Sequence, residues 1–129
     1  MKLTVMNIEH IDNKILVDGV TEIGNLKGIW KNDILPIVNK EYFVELTITD
    51  YCKKISQIHG EYSGMKVNLE NSIINFEGYC EDMDGEVYYI RLNTDWLEMV
   101  DIDNDYAEIK KGDFVSFSAK YDCILIFPY

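Results

Sequence analysis

Hydrophobic and polar residues alternate with a period of two along most of this chain. In residues 41–49, Tyr42, Val44, Leu46 and Ile48 share one side, and the positions between them are mostly polar. This is the pattern of a β-strand with one buried and one solvated face. Similar patterns predict further strands within residues 3–8, 14–20, 65–70, 73–80, 87–92, 95–102 and, as a pair, 113–127.

Turn residues separate these segments. Asp84-Gly85 is the strongest hairpin signal in the chain, and it predicts that a strand ending near Cys80 pairs with one starting at Val87. We expect two more turns, at Asn71-Ser72 and at Tyr121-Asp122.

One segment has a helical alternative. In residues 50–58, Asp50 can cap a short helix on which Tyr51, Ile55 and Ile58 share a face. A strand through Ser56–Tyr62 competes for the same residues.

Seven to nine short, mainly antiparallel strands at regular spacing are typical of an all-β barrel or sandwich. A chain of 129 residues fits a single domain, which we assign to residues 1–129. A helix near 50–58 inserted into a five-stranded Greek-key barrel would make the fold OB-like. No segment carries the motif of a particular family.

The balance of charge restricts the partners that this chain can have. It carries 23 acids and 12 bases, for a formal net charge of −11. Such a charge repels phosphate backbones and anionic membrane surfaces, and it attracts basic proteins. We therefore expect no nucleic-acid and no membrane partner.

The cysteines indicate a reducing compartment. Cys52, Cys80 and Cys123 are odd in number and widely spaced, unlike the dense, even set of a disulfide-stapled secreted domain. The first ten residues hold no apolar run typical of a signal peptide, and no run is long enough to span a membrane. We expect a soluble cytoplasmic protein.

Three alternating aspartates, Asp101, Asp103 and Asp105, resemble the start of a calcium loop of the EF-hand type. Such a loop needs glycine at position 6 and a bidentate glutamate at position 12, where this chain has Tyr106 and Gly112. Its flanks also alternate as strands, not helices. We interpret the run as a solvated connection and expect no metal site.

The acidic residues are concentrated in one segment. Residues 77–113 hold 12 acids and three bases, whereas the acids and bases of the other 92 residues nearly balance. Tyrosines and a tryptophan are interleaved with the carboxylates, and these aromatics are enriched at protein interfaces. The segment therefore predicts a partner-binding surface, with candidate residues Asp82, Asp84, Glu86, Tyr88, Asp95, Trp96, Glu98, Asp101, Asp103, Asp105, Tyr106 and Glu108.

An ordinary solvated sheet with inward-facing aromatics would show the same pattern, so this alternative stays open.

Catalytic chemistry has little support in the sequence. The histidines, His10 and His59, and the three cysteines lie in no nucleophile, zinc or phosphate-loop motif. We therefore expect no catalytic residues, no metal and no cofactor. The lysines before residue 77 are mixed with acids, so the basic groove of a single-strand-binding barrel is also missing.

The leading hypothesis is a small acidic cytoplasmic inhibitor, in particular an immunity protein that neutralises a basic, nuclease-type toxin domain by charge complementarity. A nuclease site that attracts phosphate is cationic, so an acidic inhibitor associates rapidly and blocks it. The alternative is an OB-like module or assembly subunit that binds a protein or peptide without catalysis. A β-barrel that binds a small molecule ranks third.

Overall fold

The structure is a computed structural model. It describes residues 1–52, 55–58, 64–68, 72–101 and 109–129, with residues 65–68 described as backbone only. Its strands are β1 Lys2–Ile11, β2 Lys14–Thr21, β3 Gly24–Trp30, β4 Glu41–Ile48, β5 Ser56–Gln57, β6 Gly64–Asn68, β7 Ile73–Asp84, β8 Val87–Asn93, β9 Trp96–Asp101, β10 Phe114–Lys120 and β11 Ile124–Pro128. The predicted all-β class is confirmed.

Five strands close into a barrel. β1, β2 and β3 form an antiparallel meander, and β4 pairs with the start of β1. β11 lies between β4 and β3, antiparallel to the first and parallel to the second, and this closes the barrel. The insertion of the last strand between β3 and β4 gives a Greek-key order, as in OB-like barrels.

The parallel contact between β3 and β11 depends on a glycine. A Cβ atom on Gly28 would lie 2.8 Å from the carbonyl oxygen of Ile124, so any side chain there would push β11 away. Gly28 therefore lets the two backbones approach closely at the seam of the barrel.

The strands between β4 and β11 in sequence build a second, antiparallel sheet. β7 is its centre and pairs with β6, β8 and β10, while β9 extends the sheet beyond β8 and β5 pairs with β10. The two-residue turn after Asp84 confirms the predicted hairpin, with Gly85 at a φ of 62°. β7 continues to Asp84, however, and does not end near Cys80 as predicted.

The prediction of a short helix around residues 50–58 is wrong. Ser56 and Gln57 form β5, which pairs with Ser116 and Val115 of β10. This confirms part of the competing strand, whose residues 59–62 lie outside the described residues, as do residues 53 and 54. A helix this short is marginal by itself, and pairing with the edge of β10 satisfies the backbone better.

One buried core joins the barrel to the second sheet. Phe76 of β7 and Phe117 of β10 stack with their ring centroids 5.1 Å apart, and Trp96 of β9 meets Phe76 edge-on. The same cluster of buried residues includes Leu3 and Ile126 of the barrel. No helix among the described residues is long and apolar enough to cross a membrane.

Candidate functional site

The described part of the acidic segment folds as a meander of neighbouring strands. β7 pairs with β8 from Tyr79 to Asp84, and β8 pairs with β9 along most of its length. Carboxylates that are far apart in sequence therefore lie side by side across the three strands.

The strand register groups the exposed acids on the outer side of this sheet. One cross-strand row is Asp82, Tyr89 and Met99, and the next row is Asp84, Val87 and Asp101. Asp82, Asp84 and Asp101 are exposed, and Glu86 is exposed in the turn between β7 and β8. We call this surface the acidic face, and it consists of Asp82, Asp84, Glu86, Val87, Tyr89, Met99 and Asp101.

Two of the predicted interface aromatics are not on this surface. Tyr88 and Trp96 are each only 9% exposed and belong to the core. Tyr88 lies opposite Val100, on the inner side of the sheet, because successive strand residues point to opposite faces. The aromatic that accompanies the carboxylates is its neighbour Tyr89, which the candidate set did not include.

Asp95 lies away from the acidic face. Its carboxylate forms an ion pair with the α-amino group of Met1, which also donates a hydrogen bond to the carbonyl oxygen of Val44. This ion pair links the start of β9 to the barrel, so Asp95 acts as a structural contact in the described structure.

Glu98 points inward from β9. Its Oε1 accepts a 2.8 Å hydrogen bond from the Tyr51 hydroxyl, and its Oε2 accepts a 3.0 Å bond from the Trp96 indole N–H. Burial raises the pKa of Glu98, while the two hydrogen bonds oppose this rise. Burial, followed by the contact with Glu98, also raises the pKa of the Tyr51 hydroxyl. Glu98 is thus a half-buried anchor, not a surface charge.

Glu81 of β7 forms an ion pair. Its Oε2 lies 2.9 Å from the Arg91 guanidinium on the outer side of the sheet. Arg91 is the only base within β7, β8 and β9. Because Arg91 is paired with Glu81, it does not offset the negative charge of the neighbouring acidic face.

The aspartate run lies largely outside the described residues. Asp103, Asp105, Tyr106 and Glu108 fall within residues 102–108, so their roles stay predictions. Asp101, at the end of β9, is described and exposed. No group of three or more His, Cys, Asp or Glu residues that could hold a metal ion occurs in the part of the chain that the structure describes.

Cys80 and Cys123 are not activated thiols. Cys80 is buried on β7, and burial, followed by the charges of Asp113 and Asp82, raises its pKa. Burial also raises the pKa of Cys123. A raised pKa leaves less thiolate at neutral pH, which is the opposite of what a nucleophile needs. His59 lies outside the described residues.

A second exposed feature is the loop between β3 and β4. Its apolar side chains point into solvent, although hydrogen bonds fix its backbone. The Trp30 indole donates to the Ile34 carbonyl, and the Tyr42 hydroxyl accepts from the Ile37 amide. The exposed side chains are Ile34, Leu35, Ile37 and Val38. This apolar loop was not predicted from the sequence, although the run of isoleucines, leucine and valine around Pro36 was an available signal.

Comparison of the chain with models of protein families, with curated proteins and with solved structures finds no match in any of the three.

Proposed function

We propose that this chain is a non-catalytic cytoplasmic inhibitor, in particular an immunity protein that binds and neutralises a basic, nuclease-type toxin domain. The observation that supports the proposal is the arrangement of the acidic face, where Asp82, Asp84 and Asp101 surround the half-exposed Tyr89 and the exposed Met99. Charge on such a surface steers a cationic partner, and the apolar centre retains it by burial.

The charge of the whole chain acts in the same direction. A nuclease site must attract phosphate, so a complementary inhibitor gains both rate and specificity from negative charge. Steered association reaches about 10⁸–10⁹ M⁻¹s⁻¹ at low salt, compared with about 10⁵–10⁶ M⁻¹s⁻¹ for uncharged surfaces. An inhibitor of a toxin made in the same cell needs this speed.

Growth rescue tests the proposal. The proposal predicts that a neighbouring reading frame encodes a basic, nuclease-type toxin domain, and the test expresses that domain in a host cell together with this chain. We expect the wild-type chain to restore growth and the sheet variant (Asp82→Asn, Asp84→Asn and Asp101→Asn) to restore it poorly. The physical reason is an association rate lowered by about ten-fold or more at low salt.

A barrel variant is the matched control. Asp12→Asn, Asp33→Asn and Glu41→Gln remove the same number of charges from exposed positions of the barrel and its loops. We expect it to protect as the wild type does. Equal protection by both variants would show that the acidic face is not the interface. A third variant, with Asp101, Asp103 and Asp105 changed to Asn, tests the aspartate run separately.

The apolar loop favours a second candidate function, an OB-like module that binds a protein or peptide through the barrel. Exposed apolar side chains on a fixed backbone lose little entropy on binding, which is a property of preorganised binding loops. Changing Ile34 and Leu35 to Ser discriminates the two functions. If these changes abolish partner binding while the sheet variant retains it, the module is correct and the inhibitor is wrong.

A further inference from the structure

β9 is an edge strand. It pairs with β8, and no other strand in the described parts of the chain pairs with its second side. An open edge presents unpaired N–H and C=O groups to which another strand can add.

The direction of one hydrogen bond shows which backbone groups face this open edge. The Met99 carbonyl oxygen lies 3.3 Å from the Tyr51 hydroxyl, whose stronger bond is the 2.8 Å bond to Glu98, so this carbonyl points away from β8 and has this weak partner there. In an antiparallel pair, alternate residues direct both backbone groups to the same side. Leu97 and Asp101 therefore face the open edge together with Met99.

The side chains of these three residues suit a binding edge more than a protected one. Met99 is 63% exposed and Leu97 is 39% exposed, and Asp101 is also exposed. Protected edges usually carry lysines, prolines or bulges. β9 carries no lysine or proline, and its protective features are the inward-pointing Glu98, the charge of Asp101 and the Tyr51 hydroxyl beside the Met99 carbonyl.

There is also room beside the edge. A groove of about 330 Å³ lies between the start of β9 and the barrel strand β4. Trp96 and Leu97 line one side, and Val44, Leu46 and Tyr129 line the other. Glu45 adds an exposed carboxylate to the lining, whereas the Asp95 carboxylate is paired with the α-amino group of Met1, which also lines the groove.

We propose that an extended, cationic segment of the basic partner adds to the open edge of β9 as a further strand. This inference rests on the proposed function and states how the partner is held. Apolar residues of the segment would pack on Leu97 and Met99, and its basic residues would meet Asp101 and the Glu45 carboxylate.

A second copy of the chain fits the edge less well than a cationic strand. Each copy brings a net charge of −11, and antiparallel pairing of two β9 strands would bring two acidic faces together. The negative charge that disfavours pairing of two copies attracts a basic strand.

The probe for the test is a capped seven-residue peptide in which lysine and valine alternate. We expect it to bind the full chain and to slow amide hydrogen exchange at Leu97, Met99 and Asp101. Two isomeric peptides, each with three backbone N-methyl groups placed either on lysines only or on valines only, keep the same charge. Because only alternate amides of an added strand face β9, we expect one isomer to bind at least about ten-fold more weakly than the other.

A variant pair tests the edge from the protein side. Met99→Pro removes an N–H that points away from β8, whereas Met99→Ala removes the side chain and keeps that donor. We expect the proline variant to unfold at nearly the same urea concentration as the alanine variant and to bind the peptide about ten-fold more weakly. Equal binding by both variants, or by both methylated isomers, would overturn the proposal. So would failure of the unmethylated peptide to bind, or protection of the same amides by self-association.

The two proposals fail separately. If the peptide protects the β9 edge while the sheet variant still rescues growth, the acidic face is wrong and strand addition stands. If the sheet variant loses rescue while the methylated isomers bind equally, the acidic face stands and strand addition is wrong.

Discussion

Glu98 occupies an inward position of an edge strand, where apolar side chains are the ordinary choice. Its carboxylate is held by the Tyr51 hydroxyl and the Trp96 indole, and its pKa is raised mainly by burial. Between its ordinary value of 4.5 and the raised value, the folded chain binds more protons than the unfolded chain. The free energy of unfolding therefore falls as the pH rises through this window.

Changing Glu98 to Gln tests this environment. The amide keeps an acceptor for Trp96 and can donate to the Tyr51 oxygen, while the buried charge is removed. We expect urea unfolding between about pH 4.5 and pH 8 to show a smaller loss of stability with rising pH than in the wild type. Glu45→Gln, an exposed change on β4, is the control and should follow the wild type. If the free energy of unfolding of Glu98→Gln depends on pH in the same way as that of the wild type, the raised pKa of Glu98 is wrong.

The two neighbouring tyrosines of β8 show what residue-level prediction could and could not do. Tyr88 shares its side with Ile90 and Leu92, whereas Tyr89 shares its side with Arg91 and Asn93. This pattern was visible in the sequence and identifies Tyr88 as the buried one. The strand was predicted, but the candidate set placed Tyr88 at the interface, whereas the structure buries it.

Paired alanine substitutions separate the two roles. Tyr88→Ala removes a core aromatic, and we expect it to lower the free energy of unfolding by about 3 kcal/mol. Tyr89→Ala should lower it by less than about 1 kcal/mol and weaken partner binding. Urea denaturation and a binding titration measure both effects. The reverse order of stabilities would mean that the register of β8 is wrong.

Among the secondary-structure elements, the strands with clean alternation were predictable and those with mixed patterns were not. β4 and β7 to β9 alternate clearly, so their faces could be read from sequence. β3 carries two glycines and is buried on consecutive residues at its end, so no period of two is visible. β5 is two residues long and exists because β10 offers it an edge, which sequence does not show.

Gly78 determines how closely β7 and β8 pair. A Cβ atom at this position would lie 2.6 Å from the Arg91 carbonyl oxygen and 2.8 Å from the Ile90 side chain. We expect Gly78→Ala to lower the free energy of unfolding by about 1–3 kcal/mol by forcing the strands apart. Gly85→Ala is the comparison, since that turn position has a positive φ but no neighbour within 4 Å. Chemical denaturation should measure the loss in free energy of unfolding that each substitution causes. Amide hydrogen exchange should show weakened pairing of β7 with β8 only for Gly78→Ala.

At the scale of the whole molecule, the acidic segment forms one sheet beside a barrel with mixed charge. Contiguity in sequence made this grouping predictable, because a meander brings its own strands together. The pairing of β10 with β7 and of β11 with the barrel strands was not predictable. β10 and β11 are consecutive in sequence but belong to different sheets. Long-range pairing of this kind depends on packing of the whole core, not on local pattern.

The most direct test of the acidic face compares capture of proteins from the source cell by the wild-type chain, the sheet variant and the barrel variant at low salt. Mass spectrometry of each eluate identifies what is bound. We expect the same basic protein with the wild type and the barrel variant, and its loss with the sheet variant. Recovery of one identical set of proteins by all three chains, or of no basic protein by any of them, would contradict the account.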